Sequence, residues 1–244
     1  MFQFHNGGSI MALSVDNVLH EAQALQPLLQ KYQSEMTAGG FGPERTMAFQ
    51  KYFEDALTKD TEQRSAHAIM LQRTQEQNTA ANRATVLITM IQNAAKSAFY
   101  NDKVRLKEFR VGMPRIRGVK NLISVMEYFT AIAKKYEADL LANGIRKEDL
   151  DSAAASYTAL ATADGLQENA KKLRNAATLA RNAAVKQLRE EVFRIRKFAL
   201  ARFALDPVRL EEFKSVTVYK RKSNAETTAP AAPGQALVGA ATTK

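Results

Sequence analysis

The chain has no cysteine and no tryptophan, and only three histidines and six prolines among its 244 residues. Without cysteine there is no disulfide, no thiolate nucleophile and no zinc–thiolate centre. The imidazoles, His5, His20 and His67, are too far apart to share a helical turn. No Glu stands three residues before any of them, so the Glu-x-x-His step of a di-iron bundle is missing. No glycine-rich loop leads into a Lys-Ser or Lys-Thr pair, which removes the phosphate-binding loop. No Ser or Thr has a recognisable nucleophile setting. No apolar run reaches the roughly 18–20 residues that span a bilayer. The opening residues, Met1-Phe2-Gln3-Phe4-His5, lack the basic-then-apolar layout of a signal peptide. These absences predict a cytoplasmic protein that is not an enzyme, with no catalytic, cofactor-binding or metal-ligating residues and no small-molecule substrate.

What the chain does have is a copy of itself. Phe99, Asp102, Val104, Arg105, Leu106, Glu108 and Phe109 return as Phe203, Asp206, Val208, Arg209, Leu210, Glu212 and Phe213, a shift of 104 residues. The match continues without a gap from Val15–Phe109 onto Val119–Phe213. A match of that length without insertion requires conserved element lengths, as tandem structural repeats do. The best-matched block is rich in Phe, Asp, Arg and Glu, so alanine-rich low complexity does not account for it.

Periodicity makes both copies helical. Val15, Val18, Leu19, Ala22, Leu25, Leu29, Tyr32 and Met36 fall at three- and four-residue steps, a single stripe on a helix from about 14 to 37, with Pro27 expected to kink it. Val119, Leu122, Ile123, Met126, Phe129, Ala133, Tyr136 and Leu140 repeat the stripe over 119–142. Gly39-Gly40-Phe41-Gly42-Pro43 and Asn143-Gly144 are helix stops, and Pro43 suits a first helical position. Residues 44–100 and 147–205 follow as long helical segments. Asp60 with Gln63, and Asp164 with Gln167, have capping-box spacing, so a break near 58–63 and 162–167 is one expectation and a bent continuous helix the other. Asp102 and Asp206 are expected N-caps of short helices, with Leu205 and Leu210 a hydrophobic staple in the second. Val216–Tyr219 reads as strand-like.

The predicted fold is therefore all-α: an elongated antiparallel bundle of two tandem short-helix/long-helix hairpins related by a pseudo-two-fold axis. Residues 1–13 form a flexible leader, 14–112 and 113–222 the two repeats sharing one core, and 223–244 a disordered tail. Alanines at seam positions (Ala66, Ala80, Ala84, Ala94, Ala98, Ala170, Ala177, Ala184) let helices approach closely.

Two partner classes follow. The first is protein, a second copy included. The recurring Asp-x-x-Arg-x-x-Glu element has a structural reading, a capped helix whose Arg pairs with a neighbouring carboxylate. It also has an interaction reading, with Arg105, Phe109, Arg209 and Phe213 as docking residues. The second is nucleic acid. The net charge is +10, of which residues 113–220 hold +7 and 14–112 only +1. Arg115, Arg117, Lys171, Lys172, Arg174, Lys220, Arg221 and Lys222 are the candidate polyanion contacts, with no sequence-reading motif among them. Gln63, Thr74 and Asn78, matched by Gln167, Thr178 and Asn182, read as a polar layer that fixes helix register, or as symmetric ligand contacts. The function expected is a non-enzymatic scaffold or assembly protein, with sequence-independent phosphate binding as the alternative.

Overall fold

A computed structural model describes residues 14–114 and 116–216. The leader, Arg115, the tail and all of the strand-like run but Val216 lie outside the described residues. Among the described residues eight helices follow in order: α1 (Val15–Lys31), α2 (Gln33–Ala38), α3 (Pro43–Ala98), α4 (Lys103–Glu108), α5 (Val119–Lys135), α6 (Glu137–Ala142), α7 (Lys147–Arg202) and α8 (Pro207–Ser215). No strand occurs among the described residues. The bounds of α1, α2 and α3 recur in α5, α6 and α7 at the 104-residue shift.

Ser14 caps α1 by accepting from the Asn17 N–H at 3.2 Å. The expected single helix over 14–37 is two helices, interrupted at Tyr32, and α5 and α6 are interrupted at Tyr136. Pro27 lies inside α1 without ending it. The second copy carries Ala131 at that position and breaks at the same register, so the tyrosine and not the proline marks the break. Helix α2 ends in a Schellman turn: Gly40 has φ +96° and the Phe41 N–H donates to the Met36 carbonyl at 2.9 Å. Phe41 and Met36 are both buried, the apolar contact that usually accompanies this turn.

Helices α3 and α7 are each 56 residues long and unbroken, about 84 Å at 1.5 Å per residue. The break near 58–63 and 162–167 does not occur. Asp60, Gln63, Asp164 and Gln167 sit mid-helix and turn toward the partner helix instead of capping a new one. A Cβ at Gly165 would meet nothing within 4 Å, so that glycine lies on open surface and interrupts nothing. The pairing is antiparallel, since Gln63 meets Arg181, Thr74 meets Gln167 and Gln77 meets Asp164.

Asp102 caps α4, accepting from the Val104 and Arg105 N–H groups at 3.0 Å each, and Asp206 caps α8, accepting from the Arg209 N–H at 3.1 Å. The staple does not form, because Leu205 is 100% exposed.

The single core expected from the sequence is two. One gathers α1, α2, the start of α3 (Phe49, Ala56), the end of α7 (Ala184 to Ala199) and Phe213 of α8. The other gathers the end of α3 (Ala84 to Ala95), Phe109, α5, α6 and Leu160 of α7. Each core draws on both halves of the chain. Between them α3 and α7 run side by side as a waist, where Ala66 and Ala177 are half-buried and Ala170 is buried. Small side chains allow that close approach, and among the described residues no third helix packs there to give the waist an apolar core.

Candidate interaction surfaces

The repeated Asp-x-x-Arg-x-x-Glu element builds the same cluster at both ends. At one end the Tyr32 hydroxyl donates to Glu212 Oε2 at 3.0 Å and Lys31 Nζ donates to Glu212 at 2.8 Å. The Arg209 guanidinium lies over Tyr32 and Phe203, 5.3 and 5.6 Å from their centroids, and bonds Asp206 and Glu35 at 3.1 and 3.3 Å. Phe203 and Phe213 stack at 5.6 Å and 16°. At the other end the Tyr136 hydroxyl donates to Glu108 at 3.0 Å, Arg105 lies over Phe99 and Tyr136 at 5.1 and 5.6 Å, and Phe99 stacks on Phe109 at 5.8 Å and 19°. Each cation–π contact contributes about 0.5–1 kcal/mol when partly solvated. The Glu212 carboxyl is held below the usual carboxylate range by the hydrogen bond from Lys31 and then that from Tyr32. Lys31 is raised above the ordinary lysine value, Glu212 again being the main cause.

This placement corrects the docking reading of two residues. Phe109 is 0% and Phe213 1% exposed, so both rings anchor the chain's own helices and offer no face to a partner. Arg105 and Arg209 are partly exposed at the rim of these clusters, each already paired within the chain.

The waist carries the polar seam. Gln77 donates to Asp164 at 2.7 Å, Gln167 to the Thr74 hydroxyl at 3.4 Å, and Arg181 to Gln63 at 3.1 Å. Asp60, 7% exposed, receives Arg64 at 2.7 Å and faces Arg181 at 3.9 Å. Thr178 returns its hydroxyl to the Arg174 carbonyl at 2.8 Å. Asn78 is exposed and stands outside this seam, and Asn182, also exposed, accepts from Arg181 at 3.1 Å. Identity between the copies pointed to Thr74, Gln63 and Gln167. It missed Gln77 and Arg181, which occupy matching positions with different side chains and both reach a matched aspartate.

Of the expected polyanion contacts, Lys220, Arg221, Lys222 and Arg115 lie outside the described residues. Arg117, Lys171 and Lys172 are exposed. The structure brings the start of α5 near α7: Glu168 is held below the usual carboxylate range, first by its hydrogen bond with Lys171, then by the charges of Lys171, Lys120 and Lys172. Arg174 does not join them cleanly, since it is half-buried and its Nε is shut off from solvent.

A hollow of about 160 Å³ lies beneath the 110–118 connection, and Arg110 is its one charged lining residue among the described residues. No group of His, Asp and Glu among the described residues could hold a metal ion. His20 and His67 are both exposed. No helix among the described residues is long and apolar enough to cross a membrane. No protein-family model matches the chain, and no curated protein or solved structure matches it.

Proposed function

We propose that this chain is a non-enzymatic helical scaffold that works through protein–protein contact, its own copies included. It consists of two tandem copies of one helical unit, about 14–112 and 113–222, related by a pseudo-two-fold axis. What supports the duplication is the recurrence of helix bounds at a shift of 104 residues, together with matching aromatic clusters at the two ends. The observation that carries the function is the exposed apolar waist. Ile69 and Leu173 occupy matching positions and are 47% and 58% exposed, and Leu166, two turns before Leu173 on the same side of α7, is 42% exposed. Among the described residues, both ends of the rod are covered by short helices and the waist is not. A second pair of helices laid on it would complete a four-helix cross-section.

Multi-angle light scattering after gel filtration, over a hundredfold range of concentration, tests this. Dimers or larger species are expected, falling to monomer in Ile69→Glu/Leu173→Glu. A strict monomer throughout that range overturns self-assembly.

A second reading, phosphate binding without sequence preference, rests on Lys120, Lys171 and Lys172 around Glu168, with Arg117 just before α5. A gel-shift titration in salt tests it. The apparent affinity must fall steeply as salt rises, and no shift at low salt ends it.

A further inference from the structure

Along the back of α7, Lys172, Leu179, Lys186 and Phe193 recur every seven residues, and all four are exposed. At 100° per residue they stay within one side of the helix, away from the seam with α3, and Arg189 and Lys197 flank them. Leu179 is 72% and Phe193 60% exposed, and the Lys197 ammonium sits 5.5 Å over the Phe193 ring. Lys172, Lys186 and Arg189 form no ion pair among the described residues. The carboxylates on this side are Glu190 and Glu168, the latter tied to Lys171 at 2.9 Å. The same register on α3 reads Ala68, Gln75, Asn82 and Thr89, exposed but neither charged nor large and apolar. The two long helices pair along one seam and differ here, so their pairing does not require this stripe.

We propose that the back of α7 docks on an anionic phospholipid bilayer. Leu179 and Phe193, about 21 Å apart, enter the boundary between headgroups and acyl chains, and the basic side chains remain among the headgroups. Charge complementarity selects this occupant. A partner helix packed on the stripe would bury Lys186 between two apolar contacts, which costs a desolvated ammonium. Duplex nucleic acid would match the lysines but offers nothing to Leu179. A flat acidic bilayer accepts both kinds of side chain at once, with the lysine stems lying along its surface. This docking goes beyond the scaffold reading and needs no self-association.

The test uses the full chain with vesicles of phosphatidylcholine and phosphatidylserine (70:30) and vesicles of phosphatidylcholine alone, in 50 mM salt, by co-sedimentation. Binding to the acidic vesicles only is expected. Lys186→Gln/Arg189→Gln should weaken it about 30-fold, near fivefold for each basic residue. Leu179→Ser/Phe193→Ser should weaken it tenfold or more. Since the chain lacks tryptophan, Phe193→Trp supplies a direct probe, and its emission should shift to the blue when acidic vesicles are added. Absence of binding, an unmoved tryptophan emission, or full binding by the Leu179/Phe193 variant overturns the proposal. Displacement by an equimolar 20-base-pair duplex overturns it in favour of nucleic acid. The light-scattering test of the scaffold is read without lipid, so either idea can fail alone.

Discussion

Replacing Phe213 with alanine should unfasten one end of the rod and leave the other closed. The ring is 1% exposed, stacks on Phe203 at 5.6 Å and lies 5.9 Å from Tyr32. Truncating a fully buried phenylalanine costs about 3–5 kcal/mol, from lost burial and the cavity left behind. The upper part of that range is expected, because Tyr32 and Phe203 lose the ring they pack on, and the Arg209 guanidinium lies over both of them. The effect should be local, since Phe213 belongs to the core of α1, α2 and the end of α7, whereas α5 and Ala84 to Ala95 belong to the other. Urea unfolding followed by far-UV circular dichroism reads the size. Native-state hydrogen exchange reads the place: protection should fall in α1 and residues 185–199 while α5 keeps its own. Phe109→Ala should give the mirror result, and the double variant should be additive within about 0.5 kcal/mol. A loss below about 1.5 kcal/mol, or equal loss of protection at both ends, refutes the two-core reasoning.

Tyr32→Phe removes the hydroxyl donated to Glu212 and should cost about 1 kcal/mol by urea unfolding, with Tyr136→Phe costing a similar amount at the other end. Acid should weaken the Glu212 cluster. Its carboxyl is depressed in the folded chain, so the unfolded chain takes up its proton first as pH falls; the stabilisation is whole above the ordinary value of 4.5 and drains away below it. The difference in urea midpoint between wild type and Glu212→Gln should therefore shrink between pH 5 and pH 2.5. Asp164→Ala leaves the buried Gln77 amide without its acceptor and should cost about 1–3 kcal/mol, whereas Asp164→Leu/Gln77→Leu should recover most of that in thermal unfolding.

Much of the architecture was legible in the residues, because the copy at 104 positions stands in for the constancy of element lengths. The apolar stripes that run through α1 and α2 and through α5 and α6 are buried or half-buried at every expected position from Val15 to Met36 and from Val119 to Leu140. The continuity of α3 and α7 was not legible. Asp60 and Gln63 have the spacing of a cap, and only the partner helix shows that they face Arg181. The break at Tyr32 was hidden for the opposite reason: a nearby proline offered a cause, and Ala131 in the second copy removes it. Phe109 and Phe213 were ambiguous in one dimension, since an aromatic beside an arginine suits a docking face and a core equally well. Their neighbours, Tyr136 and Tyr32, come from the other half of the chain, and no local pattern announces that exchange. Gln77 and Arg181 escaped notice because identity was the only signal for the seam, and they differ.

The unbroken rod is tested most directly by a distance along one long helix. The chain has no cysteine, so Lys51→Cys/Lys96→Cys, both exposed on α3, accepts a clean pair of nitroxide labels. Double electron–electron resonance should give a narrow distribution near 68 Å, the length of 45 residues at 1.5 Å each. A broad distribution, or one centred below about 50 Å, would mean that α3 folds back on itself and would contradict the account.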